Sequence, residues 1–296
     1  MLDYKLVEAL AMVVREEGFD KAAHALHITQ SAVSQRVKLL EEITGQVLIT
    51  RTSPPQTTTA GQAFLKHYLK VKQLEDDLKG EMQQTGGTEF SSVAVGVNAD
   101  SLSLWFVDAM YPFLKQERVL LDIRVNDQEQ THQLLKDGEV MACISTQEQP
   151  VQGCRSEYLG CMDYRLVAAP DFARQWFPHG FTLKEAHHAP AVIFDKYDAL
   201  HHKYLKKCCK ETPVAFPAHY VPSVEKFADF VLKGLAYGML PDKQIETLLA
   251  ADKLIDLSPG MALPVKLYWH CWNLKSELLV KLTRHLLTTS KALLKK

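Results

Sequence analysis

The stretch that most constrains the fold is AAHALHITQSAVSQRVKLLEE at residues 22–42, which predicts two short helices joined by a tight bend. Asp20 is placed to cap the first helix, and Thr29 is placed to cap the second. Each predicted helix has an apolar face at helical spacing, made of Ala22, Ala23 and Leu26 in the first and of Ala32, Val33, Val37, Leu40 and Ile43 in the second. This arrangement is typical of a helix-turn-helix.

The second predicted helix also has a polar face, opposite its apolar one. Side chains on such a face can bond base edges and phosphates in the major groove of DNA. The candidate DNA-binding residues on or beside it are Gln30, Ser31, Ser34, Gln35, Arg36 and Lys38. Periodicity alone leaves an alternative open, an ordinary helical hairpin whose polar face meets only water.

A short two-stranded wing is predicted after the second helix, from residues 46–49 and 52–56. The adjacent prolines Pro54 and Pro55 stiffen it, because each fixes its own backbone angle. Arg51, Thr52 and Pro54 therefore join the candidate DNA-binding residues, with Arg51 as a phosphate contact.

A long helix is predicted from about Thr58 to Gln84 by a near-heptad apolar stripe, which Glu75 interrupts. The stripe consists of Phe64, Tyr68, Val71, Leu78 and Met82, and it is broadened by Leu65, Leu69 and Leu74. A stripe this wide has too small a partner in its own domain, so self-association of two such helices is favoured over packing within one chain. The pair Gly86–Gly87 is expected to end the helix and to act as a hinge.

Charge alone does not indicate a nucleic-acid-binding protein, because 34 Lys and Arg stand against 35 Asp and Glu and the formal net charge is −1. Between Lys21 and Thr52 the surplus is modest, with four basic residues against two acidic ones. Neutralisation of phosphates supplies most of the sequence-independent affinity of a protein for DNA. A weakly basic DNA-binding domain therefore needs two copies at each DNA site. A homodimer is therefore expected.

Strands and helices alternate from Ser91 onward. Val93, Val95 and Val97 alternate as a strand, and further helices and strands lead to a final strand at 266–271 and a helix at 275–294. This alternation predicts a parallel sheet that is covered by helices on both faces.

In open parallel sheets, a ligand binds beyond the carboxyl ends of the strands, where loops and helix N-termini converge. Four segments occupy such positions and supply the candidate ligand-binding residues Asn98, Ala99, Asp100, Ser101, Ser145, Thr146, Asp195, Asp198, Ser223 and Glu225. For several of them, a purely local role as a helix cap or first-turn acid is an equally good interpretation.

The acidic members of this set favour a cationic ligand. An amino acid places its α-carboxylate at a helix N-terminus and its α-ammonium on one carboxylate, so a second carboxylate is used only when the ligand side chain is also cationic. Lysine and arginine meet both conditions. Asp100 and Asp195 are the expected carboxylate partners.

The pattern of residues 22–61 resembles the N-terminal domain of the LysR-type transcriptional regulators. It is carried by Ala22–Ala23, Leu26, Thr29–Ser34, Val37, Leu40–Glu41, Gly45, Leu48, Arg51 and Thr58–Gly61. Blocks at residues 97–102, 254–260 and 267–270 extend the resemblance to members of the family that respond to basic amino acids, particularly lysine and arginine.

The resemblance implies a winged helix-turn-helix domain at residues 1–57 and a linker and dimerisation helix with its hinge at 58–87. It also implies a two-lobed α/β effector domain, similar to periplasmic binding proteins, at 88–296. The first lobe is expected at 88–163 and 267–296, and the second at 164–266. The implied assembly is a homodimer or dimer of dimers on double-stranded promoter DNA, with RNA polymerase as a candidate partner and no cofactor besides the amino-acid effector.

Other functional classes have weaker support. The sequence contains no Gly-x-Ser-x-Gly elbow, phosphate-binding glycine loop or His-Glu-x-x-His helix, so an enzyme with a two-lobed α/β fold is not favoured. A ligand-independent architectural DNA-binding protein, such as a replication-origin binder, stays open as an alternative. The doublets Cys208–Cys209, His187–His188 and His201–His202 are poor chelates because adjacent side chains diverge on a helix, so no metal site is expected.

Targeting signals and membrane spans are not evident. The chain opens with Asp3, Tyr4 and Lys5 rather than a leader pattern, and no run approaches the roughly 18 apolar residues of a membrane span. The six cysteines contain no Cys-x-x-Cys pair. A cytoplasmic protein with reduced thiols and no membrane partner is expected.

Overall fold

The computed structural model describes residues 2–50, 52–82, 90–126, 130–209 and 216–296. Its N-terminal part comprises α1 (Tyr4–Arg15), α2 (Phe19–Ala25), α3 (Gln30–Thr44), β1 (Ile49–Thr50), β2 (Gln56–Thr57) and α4 (Thr59–Met82). Helices α2 and α3 form the predicted helix-turn-helix. The antiparallel strands β1 and β2 form a wing, but they are shorter and lie later in the chain than the predicted segments 46–49 and 52–56. The expected hinge Gly86–Gly87 lies outside the described residues.

The two helices of the helix-turn-helix start differently. Thr29 caps α3 as predicted, because its Oγ1 accepts a hydrogen bond from Ala32 N at 3.2 Å. The prediction that Asp20 caps α2 is wrong. Gly18 occupies the N-cap position, and Asp20 lies inside the first turn, where its negative charge suits the positive end of the helix dipole.

The three N-terminal helices and the wing enclose one apolar core. Its fully buried members include Val7, Leu10, Val33, Leu40 and Leu48. The prediction that Ile43 belongs to the buried face of α3 is wrong, since this side chain is 63% exposed. Leu40 and Leu48 already close this end of the core, so the last turn of α3 extends beyond it.

The start of α4 is fastened to the wing. Thr58 Oγ1 donates to Val47 O at 2.7 Å and accepts from Gly61 N at 3.1 Å. Glu41 on α3 holds the same segment, because its Oε1 accepts a hydrogen bond from Leu48 N at 2.8 Å. A Cβ atom at Gly61 would stand 2.0 Å from the carbonyl oxygen of Leu48, so only glycine permits this approach of the two backbones.

The apolar stripe of α4 has more than one neighbour. Phe64 and Tyr68 pack on the N-terminal core, and Leu69 packs on the C-terminal core. Leu74 and Leu78 are 43% and 55% exposed. The expectation of a stripe without a partner in its own chain is therefore corrected, because the first half is used within the chain and only later positions are left for another helix.

The C-terminal part is built from alternating strands and helices. Its strands are β3 (Ser91–Asn98), β4 (Val119–Asn126), β5 (Ala142–Ser145), β6 (Cys154–Ala168), β7 (Ala191–Ile193), β8 (Ala218–Tyr220), β9 (Gly238–Pro241), β10 (Ile255–Asp256) and β11 (Leu263–Trp272). Its helices are α5 (Ala99–Ser101), the π-helical segment Leu102–Phe106, α6 (Val107–Gln116), α7 (Thr131–Asp137), α8 (Pro170–Trp176), α9 (Leu183–Ala186), α10 (Leu200–Cys209), α11 (Val224–Leu232), α12 (Asp242–Ala250) and α13 (Glu277–Leu293). The run from α5 through the π-helical segment to α6 is continuous.

The main sheet has the order β10-β6-β11-β5-β3-β4, and β9 also pairs with β6. Strand β3 is parallel to β4 and β5, as the alternation predicts. The expectation of a parallel sheet throughout is wrong, because the two longest strands, β6 and β11, are antiparallel. They connect two lobes: β6 pairs with β11 beside β5 and β3, and its last residues pair with β9 and β10.

Two apolar cores support these lobes. The larger one includes Trp105 and Trp269 of the first lobe and extends to Tyr237 of the second, and the smaller one includes Val192 and Phe227 of the second lobe. In the part of the chain that the structure describes, no helix is both long and apolar enough to cross a membrane.

Candidate DNA-binding surface and ligand cleft

The outer face of α3 brings the candidate DNA-binding residues together. Ser31, Gln35 and Lys38 are exposed, and Ser34 and Arg36 are half-buried. Ser31, Gln35 and Lys38 lie away from the buried Val33, Val37 and Leu40, and Arg36 lies at the border of the two faces. The helix therefore presents a polar ridge of the kind that enters a major groove.

Two exposed contacts order the start of this ridge. Gln30 Nε2 donates to Ser34 Oγ at 3.3 Å, and the hydroxyl oxygens of Thr29 and Ser31 lie 3.0 Å apart. Because these groups are exposed, base edges or water can replace the contacts without leaving a buried polar atom unpaired. The side chains of the ridge are therefore ordered, and they can still form hydrogen bonds with DNA.

Thr52 and Pro54 are exposed in the loop of the wing. Thr50 Oγ1 donates to Gln56 O at 3.0 Å across the two strands, and Thr52 Oγ1 donates to Pro54 O at 2.8 Å within the loop. These bonds hold the loop in a defined shape beside the N-terminal domain. Arg51, the predicted phosphate contact, lies outside the described residues.

A cleft of about 490 Å³, partly open to solvent, lies between the two lobes. The first lobe lines it with Asn98, Ala99, Asp100 and Asn126, and the second with Phe194, Asp198, Leu200, Val224, Phe227, Met239, Leu240, Pro241 and Gln244. These residues lie at or near the carboxyl ends of β3, β4, β7 and β9 and in the first turns of α11 and α12. The position is that of a ligand site in an α/β protein.

The first-lobe side of the cleft offers polar groups at the ends of two neighbouring strands. Asn98 and Asn126 are the last residues of β3 and β4 and pair in register. Asn98 is almost fully buried, and its Oδ1 has no hydrogen-bond partner among the described residues. Asp100 Oδ2 accepts a hydrogen bond from Tyr164 OH at 2.6 Å. A ligand therefore meets an unused amide oxygen and a fixed carboxylate.

The second-lobe side combines one carboxylate with an apolar wall. The carboxylate of Asp198 accepts from Phe194 N at 3.1 Å and from Leu200 N at 2.9 Å, which fixes its orientation. A carboxylate has further lone pairs for another donor. Six apolar side chains form the wall, namely Phe194, Leu200, Val224, Phe227, Met239 and Leu240.

The lining of the cleft carries negative charge. Asp100 and Asp198 come from opposite lobes, and none of the described lining residues is basic. Two carboxylates beside an apolar wall can bind a ligand that has two cationic groups joined by an aliphatic stem.

Six predicted ligand-binding residues do not line the cleft, namely Ser101, Ser145, Thr146, Asp195, Ser223 and Glu225. Asp195 closes a local turn instead, because its Oδ1 accepts from Tyr197 N at 2.7 Å and from Asp198 N at 3.2 Å. Of the two acidic residues in this loop, Asp198 therefore borders the cleft and Asp195 does not.

The other five have local roles or lie behind the lining. Ser223 Oγ caps α11 by accepting from Lys226 N, and Glu225 is an exposed first-turn acid that pairs with Lys226 at 3.3 Å. Ser145 is buried, and its Oγ accepts from Gln147 N at 3.2 Å. Ser101 is also buried, and Thr146 is half-buried. Helix capping and turn formation account for most of these polar residues.

Several lining residues were missed. Asn126 ends β4 as Asn98 ends β3, so the same strand-end rule identifies it. Val224, Phe227 and Met239 have the pattern of core residues in the sequence, and only the fold shows that they border a cleft.

One histidine of the predicted doublets is buried next to the cleft. His201 follows the lining residue Leu200 on α10 and is 1% exposed. Burial lowers the pKa of His201 to about 4, against the opposing effect of Asp198 and with a further lowering by His202. The folded protein therefore favours the neutral ring. Among the described residues, no group of three or more His, Cys, Asp or Glu side chains could hold a metal ion.

We expect His201 to make the folded protein less stable as the pH falls below neutrality. The unfolded chain protonates this ring near its ordinary pKa of 6.5 and the folded chain only near 4, so unfolding takes up a proton between these values. The full difference amounts to about 3 kcal/mol, since one pKa unit is about 1.4 kcal/mol. Melting temperatures at neutral pH and at about pH 4.5 measure the effect, because this pH interval covers most of the range between the two pKa values.

The control for this prediction is the exposed neighbour. His201→Phe should reduce the fall in melting temperature on acidification, because the substituted ring has no proton to bind. His202→Phe should change the fall much less, since His202 lies at the surface and makes only a minor contribution to the lowered pKa of His201. The same pH dependence in both variants and the parent protein would contradict the role of His201.

Comparison with known proteins agrees with this architecture. Residues 4–62 match the family model of the bacterial regulatory helix-turn-helix protein, lysR family, and residues 87–290 match that of the LysR substrate binding domain. The HTH-type transcriptional regulator ArgP of Pseudomonas aeruginosa is 41% identical over 290 residues, which are 97% of this chain and 95% of that protein.

Two solved structures have the same fold over the full length. The crystal structure of ArgP from Mycobacterium tuberculosis has a TM-score of 0.86 and 35% identity, covering 100% of this chain and 99% of that one. Full-length LysG of Corynebacterium glutamicum, solved with arginine as its bound effector, has a TM-score of 0.78 and 28% identity, covering 100% of both chains.

Proposed function

This chain belongs to the LysR family of bacterial helix-turn-helix regulators, and we propose that it binds promoter DNA and changes that binding when lysine or arginine occupies the interlobe cleft. The observation that carries the effector proposal is the pair Asp100 and Asp198, which face the cleft from opposite lobes without a basic side chain in the described lining. The arginine reported in LysG, a relative at 28% identity, supports the same ligand class.

A basic amino acid matches the lining in its charges and in its stem. Its two cationic groups would pair with Asp100 and Asp198, and its methylene groups would pack on the apolar wall. Its α-carboxylate would face the first turn of the helical run that begins at Ala99, where no side chain caps the backbone N–H groups. Asn98 Oδ1 would accept a hydrogen bond from the ligand.

Binding at both ends explains how such a ligand can control the protein. Asp100 and Asp198 belong to different lobes, so a ligand that engages both stabilises only arrangements in which the lobes hold these carboxylates at the right separation. A ligand shifts a conformational equilibrium only through such a difference in affinity. We propose that this shift reaches the DNA-binding domains through α4.

Calorimetric titration tests the effector class. Lysine and arginine should bind, whereas citrulline, which has nearly the shape of arginine but no side-chain charge, should bind at least about 30-fold more weakly, as expected for the loss of one desolvated charge pair. Binding of a neutral or acidic amino acid in place of lysine and arginine would overturn the proposal. An interlobe ligand site also separates this regulator from a purely architectural DNA-binding protein, for which no ligand response is expected.

We expect Ser34→Ala, Gln35→Ala and Arg36→Ala to weaken binding to the specific operator while the protein stays folded and associated. Each lost base-edge contact should cost about 1 to 3 kcal/mol of discrimination between the operator and other DNA. Fluorescence anisotropy with operator and scrambled duplexes measures this difference. Gln116→Ala, an exposed position on α6, is the matched control. Unchanged discrimination in all three variants would refute the assignment of α3 to the major groove.

The assembly that we propose is a homodimer that can pair further into a dimer of dimers. The described structure leaves two separate apolar surfaces without a partner in the chain. One is formed by Leu74 and Leu78 on α4, and the other by Val107, Tyr111, Leu114 and Leu120 on α6 and β4, each of them exposed. Two distinct surfaces allow one chain to contact two copies. We propose RNA polymerase as the partner through which the bound regulator acts.

Leu78→Glu should dissociate the α4 pairing at micromolar concentration, because a charge replaces an apolar contact. The affinity for DNA should also fall, since each DNA site is then bound by one DNA-binding domain instead of two. Sedimentation velocity and anisotropy measure the two effects. Leu235→Glu, which places the same charge on another exposed leucine outside both surfaces, should change neither. A fully associated Leu78→Glu protein would show that α4 does not mediate the pairing.

A further inference from the structure

The structure contains a second, larger cavity that the proposed function does not use. It measures about 1250 Å³, is partly open to solvent, and shares Pro241 with the interlobe cleft. Its lining combines apolar side chains, among them Trp105, Met162, Leu249 and Leu293, with six charged ones, namely Asp163, Arg165, Asp242, Lys243, Glu246 and Lys295. Small molecules bind in concave sites where apolar surface adjoins polar groups.

One buried donor in this lining has no acceptor. Trp105 is 1% exposed, and its indole Nε1–H has no hydrogen-bond partner among the described residues. A buried N–H group without a partner is costly, and tryptophan N–H groups usually find one. A ligand with an acceptor oxygen would remove this cost.

Most of the charged side chains around the cavity already neutralise each other. Arg165 pairs with Asp242 at 2.7 Å, and Lys295 bridges Asp163 at 2.7 Å and Asp242 at 2.9 Å. Burial alone would raise the pKa of Asp242, but hydrogen bonds from Arg165 and Lys295 outweigh it and lower that pKa. This network is satisfied without a ligand.

Two charged side chains at the cavity do not take part in this ion-pair network. Lys243 and Glu246 lie three residues apart on α12 and are both exposed. Within the described part of the chain, neither forms an ion pair. One cation and one anion next to an apolar cavity match the two charges and the side chain of a zwitterion.

We propose that this cavity binds a second ligand, a free amino acid with an apolar side chain. Its α-carboxylate would accept a hydrogen bond from the Trp105 indole and pair with Lys243, while its α-ammonium would pair with Glu246. Its side chain would pack on Met162, Leu249 and Leu293. Because the other charges of the cavity are already paired, a charged ligand side chain would find no partner there.

The new site is connected to the interlobe cleft. Trp105 and Asp100 belong to the same continuous helical run, and Asp100 accepts a hydrogen bond from Tyr164, which lies between cavity residues Asp163 and Arg165 on β6. Occupation of the cavity should therefore change the affinity of the interlobe cleft for arginine. This coupling rests on the proposed function, but the binding of the apolar amino acid to the cavity is independent of it.

Titration of leucine into protein saturated with arginine tests the site, because arginine then fills the interlobe cleft. Leucine should bind one site per chain at millimolar or lower concentration and should change the tryptophan fluorescence. Trp105→Phe should abolish the fluorescence change, and Glu246→Gln and Lys243→Met, both at the exposed rim, should each weaken leucine binding about fivefold or more. Asp198→Asn should weaken arginine binding alone.

The contrary results are equally specific. Absence of leucine binding at millimolar concentration, or a fluorescence change that persists in Trp105→Phe, would overturn the site. Leucine binding that disappears when arginine is saturating would show that leucine enters only the interlobe cleft. If leucine binds while the Kd of arginine changes by less than about fivefold, the site stands and its coupling to the cleft is refuted.

Discussion

Replacement of Asp100 by asparagine is expected to weaken arginine binding by about 30-fold or more, because it removes one of two carboxylates that would hold the ligand between the lobes, a loss of about 2 kcal/mol or more. Asparagine has the same shape, and its Oδ1 can still accept the hydrogen bond that Tyr164 now donates at 2.6 Å. DNA binding without the effector should therefore be unchanged. Calorimetry and DNA anisotropy measure the two properties.

Glu225→Gln is the matched control for this variant. It removes the same charge from a carboxylate that the structure places outside the cleft, on the exposed first turn of α11. Arginine should bind Glu225→Gln as it binds the parent protein. Parental affinity in Asp100→Asn, or equal losses in both variants, would place the effector elsewhere.

Gly61→Ala should strongly impair the DNA-binding domain. The added Cβ would stand 2.0 Å from the carbonyl oxygen of Leu48, an atom that also accepts from Thr58 N at 3.0 Å. The wing or α4 must shift to relieve this contact, and overpacking of this kind costs about 1 to 3 kcal/mol or more, against a helix-propensity gain of up to about 1 kcal/mol. Operator affinity should fall, and amide hydrogen exchange in the wing and at the start of α4 should accelerate.

Gly18→Ala provides the comparison for this substitution. Gly18 has an extended backbone, and a Cβ there would meet no atom within 4 Å. Its operator affinity and exchange rates should stay close to those of the parent protein. Parental behaviour of Gly61→Ala would mean that α4 and the wing are not held as closely as the structure indicates.

Local sequence signals predict the N-terminal domain well and the crossing strands poorly. The helix-turn-helix depends on helical spacing within α2 and α3 and on the Thr29 cap, all of which are local. Most of β6 was not predicted, because polar residues such as Arg155 and Glu157 interrupt its apolar pattern, and only its last residues had been assigned to a strand. Its partner β11 lies about a hundred residues further along the chain, and no local pattern records that antiparallel pairing.

The candidate ligand site also contains residues that the sequence predicts and residues that only the fold reveals. The strand-end rule identified Asn98, Ala99 and Asp100, because the end of β3 is readable from its alternating valines. It could not distinguish Asp195 from Asp198, since both lie in one loop and only the fold shows which carboxylate borders the cleft. The apolar wall has the composition of ordinary core, so its role follows only from the gap between the lobes.

The central claim is that a basic amino acid in the interlobe cleft controls DNA binding. It is tested most directly by DNA footprinting on an operator selected by this protein from random duplexes, with no amino acid, lysine, arginine or citrulline present. Lysine or arginine should change the occupancy or extent of the parent footprint, citrulline should not, and Asp100→Asn should show the parent's ligand-free footprint under all conditions. Identical parent footprints with and without lysine and arginine, or a full response in Asp100→Asn, would contradict the claim.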